Sequence, residues 1–313
     1  MRTDMTTDTA DRAIADRIAA LVNSPVTSMV AIDEGGYSSA RRWLVTWAGG
    51  RAFAKLGTER HSAEGIRAEH HVYLDIKLDC MPDLIAYDDD EGGRSPLLLI
   101  EDLGTAHWAP PWSGVSIDDL LAALDEVQAA RVPAFLQRQD ADLGDCQEWV
   151  RIAENPTGLL AAQVCTQNWM VASLPVFAAA AHTFKTTGTS LLHGDLFPQN
   201  WCVAERGPVL VDWSGASVGN PDADRVHLLH GVRVSGGPWT DDIEQLVPAN
   251  SVAWFAGRLA HWYTGRRCEA QIDRFEETQR RELWHGLCWA ASVFDLAPPE
   301  LPVSAAPIGD YRP

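Results

Sequence analysis

Three polar residues set close together carry the chemistry this sequence can do: Asp195, Asn200 and Asp212. The first two sit in His193-Gly194-Asp195-Leu196-Phe197-Pro198-Gln199-Asn200, where the apolar pair Leu191-Leu192 runs into a glycine and then a proline-containing turn. A glycine relaxes backbone sterics and a proline fixes a turn, so this stretch is a loop that offers an aspartate and an asparagine side by side. Gly207-Pro208 then introduces Val209-Leu210-Val211, a short apolar strand ending at Asp212. A carboxylate at the end of a buried strand is costly unless a cation answers it. An Asp, an Asn and a second Asp in that order suit metal-assisted phosphoryl transfer, in which one acid orients an acceptor hydroxyl while the other two groups hold magnesium against nucleotide phosphates.

The run HGDLFPQN, then VLVDW, then GNPDAD resembles the aminoglycoside phosphotransferase and choline kinase-like family of small-molecule kinases, which share the protein-kinase fold. Asn200 follows Asp195 by the five positions of the catalytic-loop motif H-R-D-x-x-x-x-N. A lone HGD recurs by chance; the three segments in order rarely do. The resemblance implies an α+β, protein-kinase-like two-lobed fold with an antiparallel-sheet N-lobe and a mainly helical C-lobe. It implies Asp195 as the catalytic Asp, Asn200 and Asp212 as magnesium ligands, and Asp224 as a structural acid of the C-lobe; Asp224 is expected to brace the loop by hydrogen bonding, with Arg225 a candidate partner. ATP or GTP would be the donor, with Mg2+. The acceptor would be a small molecule with a hydroxyl, first an aminoglycoside or other hydroxylated antibiotic, alternatively choline, an amino sugar or a related alcohol. A non-catalytic nucleotide-binding scaffold would lack Asp195 or Asp212, and both are present.

The elements that must position these groups begin with a helix over residues 9–22, where Ala13, Ile14, Ile18, Ala19 and Leu21 share one face. Strand periodicity follows from Met29 to Gly57, broken by Gly35-Gly36 and Gly49-Gly50 into a three-strand antiparallel meander. The first turn, Glu34 to Ser39, is either a plain hairpin or a loop whose glycine N–H groups and serine hydroxyls, Gly36 and Ser38 foremost, cradle phosphate. Lys55 lies among apolar neighbours in the third strand and needs an anion. By the resemblance it meets nucleotide phosphates and pairs with a glutamate on the following helix, residues 61–77, where Glu69 fits better than Glu64. His70 and His71 are helix neighbours about 100° apart and cannot easily share a metal ion.

A strand within 78–87, an acidic turn at 88–93 and a buried strand from Pro96 complete the first lobe. The family's hinge then falls at Glu101 to Leu103, where backbone groups would bind the nucleotide base. The lobes are placed at 1–103 and 104–313. Beyond the hinge the helical period returns at 116–127, capped by Ser116, and again at 146–154, 166–187, 248–265 and 271–295. Trp254, Phe255, Trp262, Tyr263, Trp284 and Trp289 lie on the last two; helical spacing makes them core, and the resemblance makes some of them acceptor-pocket walls.

Composition closes off other classes. With 43 acidic residues against 25 Lys plus Arg, the formal charge of −18 opposes nucleic-acid binding. The acidity suits a cationic substrate and equally serves solubility. No apolar run reaches the roughly 20 residues of a membrane span, and the polar start carries no signal-peptide core, so no membrane partner and a cytoplasmic location are expected. The six cysteines are scattered without zinc spacing and are expected reduced. The oligomeric state is left open.

Overall fold

The computed structural model describes residues 9–32, 39–90, 93–139, 147–265, 272–303, 305–306 and 308. Helix α1, Thr9–Leu21, leads into strands β1 Val26–Ala31, β2 Arg41–Trp47 and β3 Gly50–Leu56. Helix α2, Arg60–Asp75, then crosses to β4 Leu84–Asp88 and β5 Leu97–Glu101. The five strands form one sheet in the order β1-β2-β3-β5-β4, every pairing antiparallel.

Side chains alternate across a strand, and that period decides where the lysine goes. Ala52, Ala54 and Leu56 of β3 and Leu97 and Leu99 of β5 face α1 and pack with Ile14 and Ile18. The opposite face carries Phe53, Leu98 and Ile100, packed with Ile66, Val72 and Tyr73 of α2. Lys55 shares parity with Phe53, so it too points toward α2. Both faces of β5 are covered, and its continuous apolar run Leu-Leu-Leu-Ile follows from that.

After β5 the chain is mainly helical: α3 Ile117–Ala129, α4 Glu148–Glu154, α5 Thr157–Ala161 and α6 Gln167–Ala181. Ser116 and Thr166 cap α3 and α6, accepting from Asp119 N and Trp169 N. Two small antiparallel sheets follow: β6 Ser190–Leu192 with β9 Ser217–Gly219, and β7 Trp201–Ala204 with β8 Gly207–Leu210. Helices α7 Asp222–Val234, α8 Asp241–Glu244, α9 Ala249–Gly265 and α10 Ile272–Val293 finish the fold. Trp149, Phe177, Leu229, Trp254, Leu287 and Trp289 are among the residues of this lobe's core. Most strands and helices fall within a few residues of their sequence-based limits; the helix expected to 187 ends at Ala181.

The turn holding Gly36 and Ser38 lies outside the described residues, as do Cys146 and Cys268. Cys80, Cys165, Cys202 and Cys288 are free thiols. Among the described residues no helix is long and apolar enough to cross a membrane.

Candidate active site

The site grows from a buried cation. Lys55 Nζ donates to both carboxylate oxygens of Glu69, at 2.9 and 2.8 Å, and stands 3.6 Å from Asp212 Oδ1. Glu69 is 1% exposed, and Tyr73, one helical turn on, donates its hydroxyl to Oε1 at 2.9 Å. Burial would lower the Lys55 ammonium, but Asp212 and Glu69 overcome it and hold its pKa above the ordinary value. Conversely Lys55 holds the Asp212 carboxyl below its ordinary value against the opposing effect of burial. A lysine has three donors; with two on Glu69, the third remains for the open side.

Asp212 adopts a left-handed backbone, φ 65° and ψ 61°, at the entry to the 3-10 turn Trp213–Gly215. Aspartate tolerates this region better than most residues, at a modest cost in strain. This turn comes two residues past the end of β8, and the Asp212 carboxylate lies beside Lys55. Val211 N donates to Asn200 O at 2.8 Å, so the loop bearing Asn200 is stitched to the residue before Asp212.

The loop itself is set by its backbone. Gly194 has φ 84°, and a Cβ there would lie 2.3 Å from Gly215 O, so only glycine fits. Asp224, near the start of α7, accepts from His193 N at 2.6 Å and Gly194 N at 3.0 Å. It braces the loop as expected. Arg225 does not join it but reaches across to Asp125 and Gln128 on α3. His193 is fully buried, with Nε2 2.9 Å from Val211 O and Nδ1 3.3 Å from Asp195 N. Burial lowers it to about 4, so it is neutral, donating from Nε2 and accepting at Nδ1. Asn200 Nδ2 donates to Asp195 O at 3.1 Å, which commits the nitrogen and leaves the amide oxygen for another partner.

Two cavities meet at this loop. One, about 320 Å³, lies between the sheet and the loop and is lined by Leu44, Phe53, Lys55, Leu103, Asn200 and Asp212 among others. The second, about 400 Å³, has Asp195 in its wall with Phe197, His227, Trp254, Arg258 and Trp262. Both are of a size that small ligands occupy. Asp195 itself is 44% exposed. Burial by the surrounding walls raises its pKa to about 7, and the like charges of Asp212 and Asp224 add to this while Asn200 opposes. Among the described residues no group of three His, Cys, Asp or Glu side chains can hold a metal ion. The oxygens of Asn200 and Asp212 on one cavity floor suit magnesium, which takes few protein ligands and keeps water and phosphate oxygens.

Of the residues singled out from the sequence, the structure brings Lys55, Glu69, Asn200 and Asp212 together and sets Asp195 on the far side of the loop. Glu101 and Leu103 line the first cavity, but their polar groups are partly committed. Glu101 N donates to Asp83 O, and its carboxylate takes two bonds from Arg206, at 2.7 and 2.5 Å. Leu103 O accepts from Trp108 Nε1 and Ala106 N. Sequence reasoning missed Tyr73, whose spacing four residues after Glu69 is a usable signal. It also missed Arg206, His227 and Arg258, which no local pattern marks.

Comparison with known proteins gives the following. The model of the family described as "Phosphotransferase enzyme family" matches residues 30–282. No curated protein matches the chain by sequence. Among solved structures, choline kinase LicA from Streptococcus pneumoniae superposes with a TM-score of 0.60 at 13% identity, over 91% of this chain and 100% of that one. The spectinomycin phosphotransferase APH(9)-Ia, in complex with ADP and spectinomycin, gives 0.57 at 13% identity, over 87% and 93%. A second LicA structure, in complex with AMP, gives 0.56 at 14% identity, over 91% and 99%. At these identities the structures speak for the fold, the protein-kinase-like α+β arrangement.

Proposed function

The chain belongs to the phosphotransferase enzyme family, and from that premise we propose that it transfers the terminal phosphoryl group of ATP, with magnesium, to a hydroxyl of a small molecule. The observation that carries this reading is the pairing of two cavities across one loop: Lys55, Asn200 and Asp212 in the first, Asp195 in the second. We place the lobe boundary at 1–103 and 104–313, so the donor site draws on both lobes and the acceptor site on the second.

In this reading the first cavity takes the nucleotide, its base against Leu44 and Phe53 and within reach of the Leu103 N–H. Lys55, fixed by Glu69, presents its remaining donor to the phosphates. Asn200 and Asp212 would hold magnesium through their oxygens. Bound there, the ion would neutralise charge on the phosphates. Asp195 accepts a hydrogen bond from the acceptor hydroxyl, aligns it, and takes its proton late, as a loose transition state requires. The relatives crystallised with ADP and AMP support a nucleotide donor.

For the acceptor we propose a hydroxylated, antibiotic-type molecule. The aromatic walls at Phe197, Trp254 and Trp262 support a ring-bearing acceptor that stacks on them. The test is magnesium-dependent ATP consumption over a panel of aminoglycosides, spectinomycin, nucleoside and peptide antibiotics, choline and amino sugars, with mass spectrometry for a phosphate gained by the acceptor. The expected result is a phosphorylated hydroxylated antibiotic, with Asp195→Ala lowering turnover at least a hundredfold while nucleotide still binds. Equal turnover in that variant would remove Asp195 from the mechanism, and phosphorylated choline in place of any antibiotic would replace the acceptor class.

A further inference from the structure

His227 is a polar residue of the acceptor cavity whose chemistry is unspent. It lies one turn after Asp224 on α7, and the two share a side of the helix toward the catalytic loop. Asp224 grips the loop's backbone N–H groups, while His227 faces its carboxylate: Nε2 stands 3.8 Å from Asp195 Oδ1. That nitrogen is shut from solvent and has no hydrogen-bond partner among the described residues. The ring is pinned between aromatic walls, edge-on to Phe197 with centroids 4.4 Å apart and 5.0 Å from Phe255. A buried polar nitrogen without a partner is costly, so the arrangement is complete only when something meets Nε2.

We infer that His227 is a positioning residue for the proposed transfer, its Nε2–H donating to Asp195 Oδ1 as that side chain turns toward it and so leaving Oδ2 as the oxygen that receives the acceptor hydroxyl. The inference rests on the reading of Asp195 given above. The gap from 3.8 Å to hydrogen-bond length is within the reach of a side-chain rotation, and the half-exposed Asp195 is the partner free to make it. Burial, with Arg258 and His193 adding to it, lowers the imidazole to about 3. The ring is therefore neutral at working pH, an N–H donor without a charge, and it fixes the carboxylate's rotation without protonating it.

His230, one turn further along α7, supplies the control. It is fully buried, packs against the same Phe197 and Phe255, and has no hydrogen-bond partner for either ring nitrogen among the described residues, but it does not line the acceptor cavity.

The experiment uses the full chain and magnesium-dependent ATP hydrolysis, with water as the acceptor. His227→Phe is expected to lower kcat about tenfold to a hundredfold, the scale of a misplaced catalytic group, with KM for ATP unchanged within about twofold. His227→Gln, whose amide nitrogen reaches the place of Nε2, should restore most of the loss, and His230→Phe should leave the rate near wild type. In an Asp195→Asn background His227→Phe should cause no further loss. His227→Phe as active as wild type, or equally harmful with Asp195 removed, overturns the inference. An independent reading needs no turnover: the ring N–H resonance that His227→Phe deletes should move in Asp195→Asn, and an unmoved resonance overturns the assignment. If Asp195→Asn hydrolyses ATP as fast as wild type, the phosphotransfer reading of Asp195 itself fails; if only His227→Phe is silent, that reading stands and the positioning role falls.

Discussion

At the scale of single residues the site separates its acids by environment. Asp212 and Asp195 are both aspartates at one loop, yet Lys55 keeps the first ionised and burial with two like charges pushes the second up to about 7. The proposed role of Asp195 requires its ionised form, so its proton must leave before transfer can occur. A raised acid loses its charge as pH falls through the raised value, and transfer should therefore fall below about pH 7 and level off above it. Solvent reaches 44% of the Asp195 side chain and screens its neighbours, which sets the inflection at or below 7. His193, lowered to about 4, and His227, lowered to about 3, stay neutral across this range and cannot supply the inflection. The check is kcat/KM for phosphate transfer between about pH 5 and 9; a plateau reaching down to pH 5 would mean that Asp195 keeps an ordinary acidity.

At the scale of elements the two lobes are tied by a turn. Arg206, between β7 and β8, donates to the Glu101 carboxylate at the end of β5 and to the carbonyls of Asp79 and Met81. Arg206→Ala should lower stability by about 1–2 kcal/mol, a partly exposed bidentate pair plus two backbone acceptors, read by urea unfolding. Arg206's hydrogen bonds lower the Glu101 pKa, with burial opposing. The pair's contribution is thus full above the ordinary glutamate value and lost as pH falls through the lowered one. The gap in stability between wild type and Arg206→Ala should narrow as pH falls through the lowered Glu101 value, and a gap that did not narrow would assign the effect to the carbonyl contacts alone. This tie also shows what sequence could and could not disclose. Strands β2, β3 and β5 were legible because alternation and glycine punctuation are local signals, and the Lys55–Glu69 pair and the Asp224 brace because short motifs carried the family resemblance that implies them. Arg206 sits in an ordinary polar turn and its partner lies far back in the chain, so nothing local marks it. Arg225 was misread as the partner of its neighbour Asp224 for the converse reason: adjacency in sequence on a helix turns side chains apart, and Arg225 instead crosses to α3. The tryptophans were ambiguous because one helical spacing serves both fates; Trp289 is core, while Trp254, 2% exposed, packs in the core and lines the cavity beside Asp195 at once.

At the scale of the whole molecule the proposed donor site is assembled from distant parts of the chain: Lys55 and Glu69 come from the sheet lobe, Asn200 and Asp212 from the helical one. A ligand that touches both halves binds the folded state alone, and so stabilises it by mass action, by about 2.7 kcal/mol at a hundred times its dissociation constant. For a chain of this size that is on the order of 5 °C in Tm. Magnesium with ADP should therefore raise Tm by about that much, and ADP with a chelator by less. The difference between the two isolates the ion's share, which the proposal assigns to Asn200 and Asp212. In Asp212→Asn the Lys55–Glu69 pair remains, so residual ADP binding should persist while the extra shift from magnesium disappears. The high net charge of −18 sharpens the test, because salt screening alone also relieves self-repulsion and lifts Tm. Measured at fixed ionic strength, a magnesium-dependent shift that survives Asp212→Asn would move the ion to other ligands; its loss, with the chelator value unchanged, would fix the carboxylate beyond β8 as the group that holds it.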